Sequence, residues 1–158
     1  MSLVKRAQKV AFYEVMENGV ATYHRMSKFT DITTEKNPIE YSRQYIDEEF
    51  KQTAVVGYST EISYAFDMHS ENPVHLDIAE IHDKEITGTD AVRSIIVVDL
   101  SKEVDGGFAA RKRNFSVIPN KEGDSTDAYT YSGSFSACGE IIEGVATSGD
   151  NFATISFN

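Results

Sequence analysis

Several residue types that often mark a function are scarce in this chain. Its 158 residues include one cysteine, three prolines and no tryptophan. A single cysteine, Cys138, excludes an internal disulfide framework and a cysteine-rich zinc site, and it suits a reducing cytosol. The longest apolar run, residues 95–98, is far shorter than the ~20 residues that a membrane helix needs. We therefore expect no membrane segment, and the N-terminus also lacks the apolar core of a secretory signal.

Positive charge is also in short supply. The chain has 15 basic and 25 acidic residues, a net charge of −10. The distribution is uneven: residues 1–30 hold five basic and two acidic groups, whereas the remainder holds ten basic and 23 acidic groups. An acidic body argues against binding to a phosphate backbone, which requires clustered Lys and Arg. The plain interpretation of the acidic surface is that it aids solubility.

Recognisable catalytic and metal-binding patterns are missing. The spacing of His75 and His82 differs from the i, i+4 pair of zinc helices, so we interpret the histidines as solvated or helix-surface residues. There is no P-loop, dinucleotide-binding or nucleophile-elbow motif. Neighbouring carboxylates are expected by chance in a chain with 25 acidic residues. We predict no enzymatic activity, no catalytic residues, no cofactor and no metal.

Three other polar features also have plain interpretations. Residues 120–127 (NKEGDSTD) have oxygen ligands around a glycine but lack the spacing of a calcium-binding helix–loop–helix motif, so they predict a polar turn. Cys138 is interpreted as a small buried or interfacial residue rather than a nucleophile. The basic trio 111–113 is expected to pair with an acidic surface of a neighbouring molecule or to stay solvated.

One segment, residues 73–86, predicts an α-helix. Asn72 is placed to cap it, and Pro73 suits its first position. Gly88 suits a left-handed end. The apolar stripe of this helix is predicted to consist of Leu76, Ile78, Ile81 and Ile86.

Most of the remaining chain alternates between apolar and polar residues, as half-buried strands do. Strands are predicted over residues 60–68, 92–100, 108–118, 129–138, 141–147 and 152–157. Turn-forming residues lie between them at 105–107, 120–124 and 148–150. Many strands with one helix predict a mainly β fold, a single β-sandwich or barrel-like domain over residues 1–158 flanked by one helix.

Two segments do not suit a self-contained domain. Residues 1–12 resemble an N-terminal arm, and residues 37–58 are too long for an ordinary loop, since loops beyond ~12–15 residues are usually functional or disordered. The second segment contains Tyr41, Tyr45 and Phe50, which are costly to leave in water. We therefore predict a long hairpin, or a segment that folds against a neighbouring subunit.

Two long strings carry a resemblance to a known family. They are "KNPIEYSRQYIDEEFKQTAVVGYSTEISYAFDM" and "RNFSVIPNKEGDSTDAYTYSGSFSACGEIIEGVATS". They resemble the major tail (tail tube) proteins of tailed bacteriophages, especially those with long non-contractile tails and Gram-positive hosts. The likeness runs from about Phe29 onward. Its most specific pieces are Asn37-Pro38, Tyr41-Ser42-Arg43, Asp47-Glu48, Val56-Gly57-Tyr58 and residues 115–132.

This resemblance implies a β-sandwich flanked by a helix, six copies in a ring, and rings stacked into a hollow tube through which viral DNA passes without specific binding. It implies a tape measure protein, a tail terminator and a distal tail protein as partners, and a place in the virion after assembly in the host cytoplasm. Residues 40–56 would be the loop that links subunits. The inter-subunit residues are then expected to include Tyr41, Arg43, Tyr45, Asp47, Glu48, Phe50, Arg111 and Arg113. Six chains of charge −10 carry −60 per ring, and acidic groups facing the lumen would repel DNA.

Two alternatives remain open on the sequence. The inner tube of a contractile tail, bacteriocin or secretion system would share the fold but bind an outer sheath. A carbohydrate-binding β-sandwich would present exposed aromatics, often tryptophan, for stacking on sugars, and this chain has no tryptophan.

Overall fold

The computed structural model describes residues 2–158 and contains eleven strands and one α-helix. The elements are β1 (Lys9–Glu17), β2 (Val20–Arg25), β3 (Phe29–Glu35), β4 (Pro38–Arg43), β5 (Gln52–Tyr58), β6 (Glu61–Asp67), α1 (Pro73–Lys84), β7 (Val92–Val104), β8 (Gly107–Glu122), β9 (Thr130–Ala137), β10 (Ile142–Thr147) and β11 (Thr154–Phe157). Each strand predicted from the alternating pattern is present. The mainly β fold with one helix is therefore confirmed.

Six of the strands close into an antiparallel barrel. Around the barrel they follow the order β1, β2, β11, β10, β8 and β7, and β7 returns to β1. The interior is filled by apolar side chains that alternate with outward-facing ones along each strand. Among them, Phe12, Ile96 and Val98 are fully buried. Closure removes the free edges that an open sheet of these strands would expose.

Strand β8 is 16 residues long, so it takes part in both the barrel and an extension of the sheet. Its first half closes the barrel by pairing with β7 and β10. Its second half pairs with β9, and the sheet continues through β6 to β3. We call this extension, β9–β6–β3, the wing. Strand β3 is the free edge of the wing.

A second core lies between the wing and helix α1. Tyr64, Phe66 and Phe135 project from the wing and are almost fully buried. The rings of Tyr64 and Phe135 stack with centroids 4.5 Å apart. The alternation predicted for residues 60–68 is confirmed, because Ile62, Tyr64 and Phe66 share this buried face.

Helix α1 begins where the sequence predicts and ends earlier. The Asn72 side chain accepts hydrogen bonds from the backbone N–H groups of Val74 and His75, which satisfies donors left free in the first turn. The helix ends at Lys84, and Glu85 takes the left-handed conformation with φ 48°. The prediction of a helix over 73–86 closed by Gly88 is therefore too long, since Glu85 donates its N–H to the His82 carbonyl and ends the helix first.

The buried face of α1 includes both of its histidines, so their predicted solvation is wrong. His75 Nε2 donates to the Ser27 carbonyl at 3.1 Å. The His75 ring also stacks on that of Phe66, with ring centroids 4.2 Å apart. His82 Nε2 lies 2.6 Å from the Tyr64 hydroxyl. Leu76, assigned to the apolar stripe, is 48% exposed instead. Both histidines can lie on the buried face of the helix because each ring nitrogen that is buried there has a hydrogen-bonding partner.

A polar cluster fixes the other side of the helix. Asp77 accepts from the Tyr13 hydroxyl at 2.5 Å and from Arg93 Nε at 2.9 Å. This arrangement links α1 to β1 and β7. Burial and the nearby Asp77 carboxylate raise the pKa of Tyr13 well above its ordinary value, so its hydroxyl keeps the proton that it donates.

The buried histidines predict a loss of stability in mild acid. Desolvation lowers the pKa of His75 to about 4, against about 6.5 in an unfolded chain. The folded state favours the neutral imidazole of His75. Its contribution to the stability of the fold is therefore complete above pH 6.5 and is lost as the pH falls toward 4. We expect a loss of about 2 kcal/mol between pH 7 and pH 5 from this residue.

Urea unfolding at the two pH values measures this loss. His75→Gln should be less stable than the parent at pH 7 and should lose less stability on acidification. Glu71→Gln, which changes an exposed residue of the same segment that makes no side-chain hydrogen bond, should keep the parental pH dependence. An unchanged pH dependence in His75→Gln would refute the assignment.

Three smaller expectations also need correction. Cys138 is exposed rather than buried, because β9 ends at Ala137, and its interfacial alternative stays a prediction. Residues 120–122 lie in β8 rather than in a turn. The chain leaves the strand only at Gly123, which has φ 72°. Residues 9–12 of the predicted arm lie in β1, where Val10 and Phe12 are buried, so among the described residues the segment before the barrel is 2–8. None of the helices within residues 2–158 is long and apolar enough to span a membrane.

Candidate assembly interface

Residues 38–58 form a long hairpin that stands apart from the barrel and the wing. Its strands β4 and β5 pair only with each other. Every residue of β4 is exposed, and so is every residue of β5 except Gly57. At the base, the side chain of Asn37 donates to the Ser59 carbonyl at 3.0 Å. The hairpin therefore projects from the domain on a fixed base.

The hairpin gathers exposed apolar side chains. Eighteen large hydrophobic residues are exposed among residues 2–158, and eight of them lie in this hairpin. These eight are Ile39, Tyr41, Tyr45, Ile46, Phe50, Val55, Val56 and Tyr58. An exposed apolar patch of this kind marks an interaction surface. An isolated two-stranded hairpin is also only marginally stable in water, so a partner surface would stabilise it.

The tip of the hairpin, residues 44–51, combines apolar and acidic groups. Phe50 is 77% exposed, and Ile46 is fully exposed. Asp47, Glu48 and Glu49 lie between them. The Gln44 side chain donates to the carbonyls of Glu48 and Glu49, so the tip has a defined shape.

The structure divides the predicted interface residues between two places. Tyr41 and Arg43 lie on β4, while Tyr45, Asp47, Glu48 and Phe50 lie in the tip. Arg111 and Arg113 lie on β8 instead, along a separate groove. Hairpin and groove are thus two different surfaces of one molecule.

The groove lies beside the N-terminal residues and has a volume of about 680 Å³. Arg113 is held in its wall, because its Nε donates to the Gly139 carbonyl at 2.7 Å. Arg6 is held there too and donates to the carbonyls of Lys9 and Ile32. Sequence reasoning missed Lys5, Arg6, Lys9 and Lys36 as groove residues. The excess of positive charge in residues 1–30 was the available signal.

Potential metal ligands are not grouped in the described part of the chain. Within residues 2–158, no group of three or more His, Cys, Asp or Glu side chains is placed to hold a metal ion. In the same residues, every buried side-chain nitrogen or oxygen has a hydrogen-bonding partner.

Comparison with known proteins gives structural similarity but no match in sequence. No protein-family model matches the chain, and no curated protein matches it. Among solved structures, it is similar to a chain from the six-fold symmetrised cryo-electron microscopy structure of the anti-feeding prophage baseplate. The TM-score is 0.49 and the sequence identity 8%, and the match covers 90% of this chain and 97% of that one. A likeness at this level assigns neither a family nor a function.

Proposed function

We propose that this protein is a structural subunit of a bacteriophage tail, specifically of the tail tube. In this proposal six copies form a ring, and rings stack into a hollow conduit for the genome. The role is structural and not enzymatic. The protein would reside in the virion after assembly from the host cytoplasm.

The observation that carries the proposal is the projecting hairpin. A hairpin that pairs with no other strand and exposes eight large apolar side chains is poorly suited to a monomer. The same segment, residues 37–58, carries much of the sequence resemblance to tail tube proteins. Its position on the surface matches what that resemblance implies for a linking loop.

The free edge of the wing supports the same function. Strand β3 pairs with β6 on one side only. An unpaired edge can add a strand from another chain, and a closed ring of subunits satisfies every edge at once. Arg6 donates to the Ile32 carbonyl of β3, so residues before the barrel partly cover this edge in the single chain.

The proposed tube would also have partner proteins and an acidic wall. The tube would contact a tape measure protein, a tail terminator and a distal tail protein at its ends and in its lumen. Six chains of net charge −10 would give −60 per ring, which disfavours adhesion of DNA to the wall. A lumen lined mainly by basic groups in an assembled tube would contradict this electrostatic role.

Negative-stain electron microscopy of the purified protein at low and high concentration tests the proposal. Hollow tubes or rings of uniform width are expected as the concentration rises. Uniform monomers at every concentration would overturn self-assembly of the isolated chain and favour a binding module. Tubes that also bind a sheath protein would assign the chain to a contractile machine instead.

A further inference from the structure

The groove beside the N-terminal residues has an unusual charge for this chain. Six of the 15 Lys and Arg residues line it, although the protein carries −10 overall. No acidic residue of the described chain lines it. The six basic residues are Lys5, Arg6, Lys9, Lys36, Arg111 and Arg113.

The floor of the groove is apolar. Ile62, Ile95 and Phe115 line it, and each of them is at least nine-tenths buried. Val4 and Ile141 line its rim and are about half exposed. The site therefore suits a ligand with both negative charge and apolar bulk, since either feature alone would leave part of the groove unmatched.

The hairpin tip of this same protein has those two features. Asp47, Glu48 and Glu49 supply negative charge, and Ile46 and Phe50 supply exposed apolar surface. Tip and groove are thus complementary in charge and in polarity. The chain therefore contains both the groove and a surface that is complementary to it.

The tip of one molecule is not placed to enter the groove of that molecule. Lys36 and Thr60, which flank the base of the hairpin, line the groove. Strand β4 has six residues, which at about 3.3 Å per residue carry the tip about 20 Å away from that base. A hairpin tip that occupies the groove must therefore come from another copy of the chain.

We propose that the hairpin tip of one subunit docks in the basic groove of the next. The contact joins two different surfaces, so it is head-to-tail and generates a closed ring or an open filament. Apolar packing of Ile46 and Phe50 on the groove floor supplies affinity, and the carboxylates of the tip pair with the basic rim. The inference rests on the proposed self-assembly and names the surface that the linking hairpin occupies.

Charge reversal on each side of the contact tests the proposal. The tip variant is Asp47→Lys with Glu49→Lys. The groove variant is Lys5→Glu, Lys9→Glu, Lys36→Glu and Arg111→Glu, which changes the charge of the six basic positions of the groove from +6 to −2. These six side chains are exposed and make no side-chain hydrogen bond, so both variants should fold. Circular dichroism and thermal melting check the folding. Each variant alone then opposes like charges across the contact and should raise the concentration needed for half-assembly more than tenfold.

Mixing the two variants separates docking from general effects of charge. In an equimolar mixture, a basic tip meets an acidic groove and an acidic tip meets a basic groove, so alternating copies restore assembly. Sedimentation velocity and electron microscopy follow the recovery. Matched controls are Glu71→Lys with Glu103→Lys and Lys102→Glu with Lys121→Glu, exposed pairs outside tip and groove that should assemble like the parent.

The outcomes distinguish this contact from the assembly itself. Parental assembly by either variant alone would overturn docking and leave the tube subunit intact. Failure of the mixture to recover would also overturn it, because the defect would then lie elsewhere. A parent chain that never assembles would reject both the docking and the self-assembly on which it rests.

Discussion

Replacement of residues 42–53 by Asn-Gly should give a folded monomer that no longer assembles at any concentration. Tyr41 and Ala54 are direct partners across the hairpin, so a two-residue Asn-Gly turn can join them and retain the base. The shortened hairpin loses the tip and three of its eight large exposed apolar side chains, Tyr45, Ile46 and Phe50. Because these residues lie outside both cores, the free energy of unfolding should change by no more than about 0.5 kcal/mol.

Analytical ultracentrifugation and electron microscopy measure assembly, and thermal melting measures folding. Leu76→Ser is the matched control, because it removes an exposed apolar side chain from α1 and should leave assembly unchanged. Tubes formed by the shortened chain would show that the hairpin is not the linking element. A large drop in melting temperature would show instead that the hairpin belongs to the folded core.

Gly133→Ala should destabilise the domain by about 3 kcal/mol or more, although it adds a single methyl group. Gly133 lies on β9 where the wing meets β8. An added Cβ would lie 2.3 Å from the Ile118 carbonyl oxygen and 2.8 Å from the Tyr64 hydroxyl. Neither neighbour can retreat easily. The carbonyl is part of the β8 backbone, and the hydroxyl is held by His82 at 2.6 Å.

Urea unfolding at neutral pH measures the effect. Gly149→Ala is the matched control, because nothing lies within 4 Å of a Cβ added there, and it should stay within about 0.5 kcal/mol of the parent. Equal midpoints for the two variants would mean that the β8–β9 ladder can shift to admit a side chain.

Alternation, which is a local signal, predicted six of the eleven strands, but strands β1, β2 and β3 were not predicted. Thr60, Ile62, Tyr64 and Phe66 face one core as their period of two requires. Asn72 and Pro73 likewise predicted the start of α1 from local hydrogen bonding and backbone geometry. The closure of the barrel was not predictable in the same way, since the pairing of β10 with β8 depends on strand register rather than on composition.

The histidines show why polarity alone misled the prediction for the helix. His75 and His82 are polar by composition, yet both ring nitrogens of His75 and the Nε2 of His82 find hydrogen-bonding partners within the fold. Leu76 is apolar but lies on the face of α1 that turns away from the wing. The hairpin was predictable as a segment, from its length and its aromatics. The groove was not, because Lys5, Lys36 and Arg111 come together only in three dimensions.

The closure of the barrel also sets an order of events during folding. Strand β11 completes the ring by pairing residue 154 with residue 24, so the barrel cannot close before nearly the whole chain has been synthesised. Such distant pairings fold slowly, on a scale of about milliseconds to seconds. The β4–β5 hairpin needs only its own residues, and a hairpin forms in about 1–10 μs. The hairpin can therefore form transiently before the groove, which takes residues from positions 4 to 141, is complete. If the proposed docking is correct, a new chain would expose its apolar tip before its own groove could receive a partner, and polymerisation would wait until folding is complete.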